Sequence, residues 1–241
     1  MTWAEAVWAR VVPTSEPLTL ASRDVAVVLL IAAVAVLVPA LWRVVRLLVT
    51  LVHELGHAGV GVLVGRRFTG FVLRGDMSGH AVTVGPSRGP GLVATTWAGY
   101  PAPAVVGALG VWLAVHGWAA PVLTAILVAL VAVTLRVRSL LTAAVVGAVG
   151  LTAGALWWQA GDARQAQVVV GVGVVLLVGA WRHLGAVLGT GRDSGSDPAA
   201  LGRMTGIPRA VWSGTFVIVC AAMTWVSVNT LLGSVSAAGL T

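Results

Sequence analysis

The chain has 241 residues, 58% of them hydrophobic and only 10% charged, with a mean hydropathy of +0.96. Soluble domains are about half apolar and about a quarter charged, so a water-soluble globular fold is excluded. All 15 basic residues are arginine, against 8 acids and a net charge of +7; they sit mostly at the ends of apolar runs, where they orient helices in a bilayer, and no nucleic-acid partner is expected.

Residues 1–24 carry Glu5 and Glu16 ahead of the first apolar run. That run begins too late, behind too few positive charges, for a cleavable signal. It reads as a retained helix after a cytoplasmic N-terminal segment, and residues 25–241 read as one polytopic domain. Apolar runs at residues 25–42, 44–64, 91–115, 119–135, 139–159, 166–188 and 210–232 approach the ~20 residues needed to cross a bilayer. The expected fold class is all-α integral membrane, with about seven transmembrane helices in a multi-pass cell-membrane protein. With seven crossings, twelve arginines fall on one side and only Arg43, Arg46 and Arg164 on the other. The positive-inside rule then places the N-terminus and both long polar loops in the cytoplasm, with the C-terminus outside.

The second run contains His53-Glu54-Leu55-Gly56-His57. Residues four apart share a helix face, so both imidazoles can converge on one metal ion, with Glu54 placed to take a proton from metal-bound water. Five His and three Glu in 241 residues would form this pattern by chance roughly once in a thousand. Its setting sharpens the signal. An ionisable group near a bilayer centre costs at least ~2.5 kcal/mol, and three lie here on one turn. H-E-x-x-H usually signals zinc with three protein ligands and an open water position, which implies Zn2+ and peptide-bond hydrolysis. The third ligand must come from elsewhere. His80, His116, His183, Asp76, Asp162, Asp193 and Asp197 are the candidates.

Residues 68–84 mix Gly with the β-formers Phe71-Val72-Leu73 and Ala81-Val82-Thr83-Val84, with Ser78-Gly79 suited to the turn. A short β-hairpin at the membrane edge is predicted, with a free strand edge that suits an extended substrate segment. Tyr100-Pro101-Ala102-Pro103 predicts a kink or break in the third helix. Gly61/Gly65, Gly150/Gly154 and Gly185/Gly189 have the small-xxx-small spacing of closely packed helices. Arg136 and Arg138 are expected to snorkel, and Cys220 to pack as a small hydrophobe. The sequence has no G-x-S-G, no G-x-G-D, no P-loop and no cysteine ligand set.

Three segments now combine: His53-Glu54-Leu55-Gly56-His57-Ala58 with Thr69-Gly70 and Ser78-Gly79; Ala98-Gly99-Tyr100; and Arg192-Asp193-Ser194-Gly195-Ser196-Asp197 leading to Thr205-Gly206-Ile207-Pro208 and Trp212. Together they resemble the site-2 protease group of intramembrane zinc metalloproteases, most closely its short bacterial branch without a PDZ domain. The resemblance implies a zinc endopeptidase acting on a membrane-protein substrate within the lipid bilayer. Larger members take a third ligand from a Leu-Asp-Gly motif, which this sequence lacks. In the short branch a Ser-Asp, a Leu and a Thr-Gly-x-Pro stand in the late position. Ser196-Asp197, Leu201 and Thr205-Gly206-Ile207-Pro208 match it, which makes His53, His57 and Asp197 the implied ligands and Glu54 the general base.

Two points stay open at this level. Asp197 precedes Pro198 and can be read instead as a helix N-cap. His53 also lies about 20 Å from the cytoplasmic end of a straight helix, so Asp197 must dip inward, and Asp162 on the opposite side is its geometric competitor. The alternative function is a non-catalytic membrane protein with a structural or transport-related metal site, although such a site would not need Glu54.

Overall fold

The structure, a computed structural model, describes residues 2–14, 21–76, 78–189 and 195–238. A short α1 (Trp3–Trp8) opens on a capping box between Thr2 and Glu5. Then come α2 (Ser22–Leu37) and α3 (Pro39–Leu63). The sequence reading divides these two near Arg43, but the structure divides them at Val38. A residue before proline is driven out of the helical region, and Pro39 suits a first helical position.

The hairpin pairs β1 (Arg67–Leu73) with β2 (Gly79–Val84) in antiparallel register, with an irregularity between Phe68 and Gly70. Its turn lies upstream of the predicted Ser78-Gly79. Arg74 donates to the Ser78 carbonyl, while Asp76 Oδ1 accepts from Ser78 N at 3.0 Å and Ser78 Oγ at 2.6 Å. Gly79 is therefore a strand residue.

The rest is helical: α4 (Pro90–Trp97), α5 (Pro101–Val115), α6 (Ala119–Thr134), α7 (Leu140–Gln159), α8 (Asp162–Gly189), α9 (Asp197–Thr205) and α10 (Arg209–Ala238). Among the described residues, α3, α7, α8 and α10 are long and apolar enough to cross a membrane, and α4 with α5 makes a fifth span bent by 63°. That bend is the break expected at Pro101, which has no N–H to extend the helical ladder. By contrast α2 and α6 have 16 residues each, about 24 Å of helix against a hydrocarbon core of ~30 Å. Four or five spans meet the length requirement, against the expected seven or so.

At the centre α5 crosses α8 with the backbones in contact. A Cβ on Gly107 would lie 2.5 Å from the Gly173 carbonyl oxygen, and one on Gly173 would lie 2.6 Å from that of Gly107. The pairs read from sequence fare unevenly: a Cβ on Gly61 would lie 2.9 Å from Thr83 Cγ2, whereas one on Gly185 or Gly189 would meet nothing within 4 Å. The reason is physical, since small-xxx-small spacing marks capacity for close approach without naming the partner.

Two apolar clusters fix the elements that matter for chemistry. Leu51, Phe71, Leu73, Leu130 and Val146 clamp the hairpin against α3, α6 and α7. Ala104, Ala180, Leu184, Leu201, Phe216 and Cys220 join α5, α8, α9 and α10, so Cys220 packs as the small hydrophobe expected. The outer edge of β1 is covered: Phe71 N donates to the Arg136 carbonyl at 3.2 Å, and Arg138 Nη2 donates to the Thr69 carbonyl at 2.7 Å. Arg138 thus has a fixed partner on the hairpin. The outer edge of β2 faces an open cavity.

Candidate metal centre

His53, Glu54 and His57 lie on the face of α3 that lines this cavity of about 680 Å³. Nε2 of His57 is 3.2 Å from Nε2 of His53. Asp197 Oδ2 is 3.4 Å from the His53 nitrogen and 3.2 Å from that of His57. The three atoms form a nearly equilateral triangle. A tetrahedral zinc shell with bonds of about 2.0–2.1 Å has ligand-to-ligand edges of roughly 3.3 Å, so the triangle has the size of one face of such a shell. Asp197 Oδ2 is also buried with no hydrogen-bond partner, a state that buried polar atoms rarely keep unless something else satisfies them. The residues present fit a divalent metal ion.

The helix break orients the first of these rings. Thr95 lies in the last turn of α4, where carbonyls have lost their intrahelical partners. Its carbonyl accepts from His57 Nδ1 at 2.7 Å. The ring proton therefore sits on Nδ1, and the Nε2 lone pair points to the triangle, as for metal-ligating histidines generally. The break also lets the backbone approach. A Cβ on Gly99 would be 2.3 Å from His57 Nε2 and 2.7 Å from His53 Nε2, so a side chain there would occupy the ligand positions. Next to it, Tyr100 meets the His53 ring edge-on at 4.9 Å and stacks on Phe216 at 5.2 Å. The Ala98-Gly99-Tyr100 segment is thereby a wall of the site.

Asp197 is positioned by α9. Ser196, not Asp197, is the N-cap residue, and Asp197 is the first helical residue with Pro198 behind it. The capping role considered from sequence is therefore not the one its carboxylate plays. Gly206, in the left-handed region at φ 74°, ends α9. Thr205 Oγ1 then accepts from Ile207 N and Trp212 Nε1, both at 3.2 Å, which pins α9 to α10. The inward dip demanded by depth also occurs. The His183 ring, six residues before the end of α8, is 6.5 Å from the His53 ring, and Asp197 lies at the same level, within 3.4 Å of both site histidines. Arg192, Asp193 and Ser194 lie outside the described residues.

The other candidates are elsewhere. Asp162 opens α8, twenty-one residues before His183, about 30 Å away along the helix. Asp76 is exposed in the hairpin turn, where hydrogen bonds from Ser78 hold its carboxyl below the usual range. His116 ends α5, bonded to the Trp112 carbonyl at 2.7 Å and stacked on that ring at 4.3 Å. His80 and His183 line the cavity without joining the triangle. Among the described residues, His53, His57 and Asp197 are the one group of three or more His, Cys, Asp or Glu placed to hold a metal ion.

Glu54 is 5% exposed and sits against β2. Its Oε2 accepts from the Ala81 backbone N–H at 2.6 Å. A Cβ on Gly79 would be 2.7 Å from Oε1, so only glycine lets the strand lie this close. Arg46 and Thr50 continue the α3 face toward its N-terminal end, and His183 faces it from α8. The sequence reading counts Arg46 among the three outer-side arginines and His183 among the third-ligand candidates, without joining the two. The available signal was the spacing Arg46, Thr50, His53, His57, which is one helix stripe.

A family model described as Peptidase M50B-like matches residues 26–227. No curated protein and no solved structure matched the chain. The matched region spans α3, the broken α4–α5 helix and α9, which together build the site. With a two-histidine, one-aspartate cluster inside that match, the chain belongs to the Peptidase M50B-like family, a membrane metalloprotease group of the site-2 protease type.

Proposed function

We propose that this protein is an intramembrane zinc endopeptidase that hydrolyses peptide bonds of a membrane-protein substrate. The observation that carries the reading is the triangle of His53 Nε2, His57 Nε2 and Asp197 Oδ2, 3.2–3.4 Å on each edge, beside the buried Glu54. His53, His57 and Asp197 would hold the metal. When bound, zinc supplies Lewis-acid polarisation of the scissile carbonyl and makes water acidic enough to lose a proton near neutral pH. Glu54 takes that proton as the water oxygen attacks the carbonyl carbon, and passes it to the amine as the C–N bond breaks. Tyr100 and Gly99 shape the wall against which the substrate lies.

A helical peptide bond is shielded by its own backbone hydrogen bonds, so the substrate must be extended before attack. The outer edge of β2 supports that step, because β1 is already covered on its other side and β2 borders the cavity. Residues 1–24 form a cytoplasmic N-terminal segment and residues 25–241 a single catalytic domain. In this arrangement α2 and α6 also cross, giving seven crossings with the C-terminus outside, in line with the arginine partition.

The test is metal content measured beside cleavage of membrane-protein substrates by the purified protein in lipid. Glu54→Gln should keep zinc and lose cleavage, since it removes the base and leaves the ligands. Normal cleavage by Glu54→Gln would end the catalytic assignment. Zinc binding without any cleavage by the wild type would favour a structural metal site.

A further inference from the structure

We propose that Arg46 and His183 form an anion-recognition subsite of the substrate cavity, which takes a carboxylate side chain about three residues from the scissile bond. The inference rests on the endopeptidase reading and adds a substrate preference to it.

Arg46 lines the cavity from α3, and His183 lines it from α8. Successive α3 residues Trp42, Arg46, His53 and His57 fall on one stripe, because spacings of four and seven return to the same helix face. The His183 ring is 6.3 Å from the Trp42 ring and 6.5 Å from the His53 ring. It therefore faces the part of the stripe between them, where Arg46 stands.

The other cations near the cavity are committed. Arg66 donates to Thr83 Oγ1 at 3.1 Å and to the Pro86 carbonyl at 2.7 Å, and is 8% exposed. Arg182 bonds the Val36 carbonyl and lies 4.2 Å over the Trp42 ring. Arg46 differs: among the described residues neither a hydrogen bond nor an ion pair engages its guanidinium. His183 Nε2 is buried with no hydrogen-bond partner. A guanidinium and an unsatisfied imidazole nitrogen on one wall are a donor set that a carboxylate completes.

Geometry sets where that carboxylate must sit. Arg46 precedes His53 by seven residues, about 10 Å along the helix. An extended substrate advances about 3.3 Å per residue, so a scissile bond at the metal centre puts the third residue away level with Arg46. The expected substrate is a transmembrane segment with Asp or Glu at that spacing. A bare bilayer span would not carry such a residue without a partner, because burying a charge in hydrocarbon is costly.

The experiment uses single-span peptides that differ only by Glu, Gln or Lys at one position, scanned along the span, with the full-length protein in lipid nanodiscs. Binding is measured on Glu54→Gln, and cleavage on wild type. Glu should bind about tenfold tighter than Gln at one position, the gain typical of a hydrogen bond to a charged group. In Arg46→Gln that ratio should fall to near one, and in Arg46→Glu the preference should move to Lys at the same position. His183→Ala should shrink the ratio. An unchanged ratio in Arg46→Gln, or no Glu preference in the parent, overturns the subsite. Binding that follows the fraction of anionic lipid, and not the peptide's charge, assigns Arg46 to headgroups and also overturns it. Cleavage without a Glu preference defeats the subsite and spares the endopeptidase; a Glu preference in binding with no cleavage by wild type does the reverse.

Discussion

Glu54 Oε2 accepts a 2.6 Å hydrogen bond from the backbone N–H of Ala81, which ties the proposed general base to the edge of the strand proposed to receive substrate. The carboxylate is buried, and Gly79 lets the strand lie against its second oxygen. The base is thus held by backbone, with no side-chain partner required. Replacing Ala81 by proline removes that one donor. Proline is tolerated where a strand N–H points away from its sheet, so the pairing with Phe71 should persist. Ala81→Pro should retain metal and secondary structure while cleavage falls by about tenfold, the scale of a hydrogen bond to a charged group. Unchanged cleavage at full folding would show that the amide does not position Glu54.

Asp197 offers a sharper test now that Ser196 is seen to be the N-cap. Asn preserves shape and helix position but is a poor zinc ligand beside a carboxylate. Asp197→Asn should weaken zinc binding by more than the ~10–100-fold lost with an outer-shell partner, and abolish cleavage. Asp162→Ala, some 30 Å along α8 from His183, should leave zinc affinity at the wild-type value. Full zinc occupancy in Asp197→Asn, measured by elemental analysis after dialysis, would remove Asp197 from the ligand set.

The backbone approach at Gly99 predicts an unusually severe effect from one methyl group. Its Cβ would fall 2.3 Å from His57 Nε2, well inside contact distance. Either ring must turn away, and His57 would then lose its bond to the Thr95 carbonyl. Gly99→Ala should therefore lose zinc as completely as His57→Ala, whereas Gly185→Ala, with open space around its Cβ, should bind zinc normally. Equal metal content in Gly99→Ala and wild type would mean that the α4–α5 break sits farther from the rings.

Orientation in the membrane is checked by reporters. A fusion after Thr241 should be active only outside the cytoplasm, and one inserted at the exposed turn residue Gly75 only inside it. The twelve-to-three division of arginines motivates both expectations. Cytoplasmic activity of the Thr241 fusion would remove one crossing, and α2 or α6, at 16 residues each, is where it would go.

Much of the site was readable because its signals are local. The four-residue spacing of His53 and His57 is a property of any helix, and the depth of Glu54 in an apolar run follows from counting. Pro101 announced the break between α4 and α5, and two runs of β-formers set among glycines announced the hairpin. Assignments that depended on one residue's neighbours in space fared differently. The turn moved to Asp76 because a side-chain oxygen there captures two Ser78 donors. Arg138 is held by the Thr69 carbonyl, a strand group that its sequence neighbours do not announce. Four or five helices meet the length of a bilayer on their own, because Pro39 ends α2 at 16 residues and α6 is equally short.

Sequence by itself determined that this is a membrane protein with a metal motif on a transmembrane helix, since composition and helical periodicity need no tertiary contact. Only the folded chain brought a carboxylate oxygen within reach of the two rings. Asp197 is 140 residues from His57 in sequence, and its meeting with the two rings depends on α8 overshooting, α9 turning back and Gly206 ending it. The same holds for the Thr95 carbonyl that orients His57, and for the Ala81 amide on Glu54. Each is a backbone group freed by a helix break or a strand edge, and backbone groups carry no residue identity that a sequence could display.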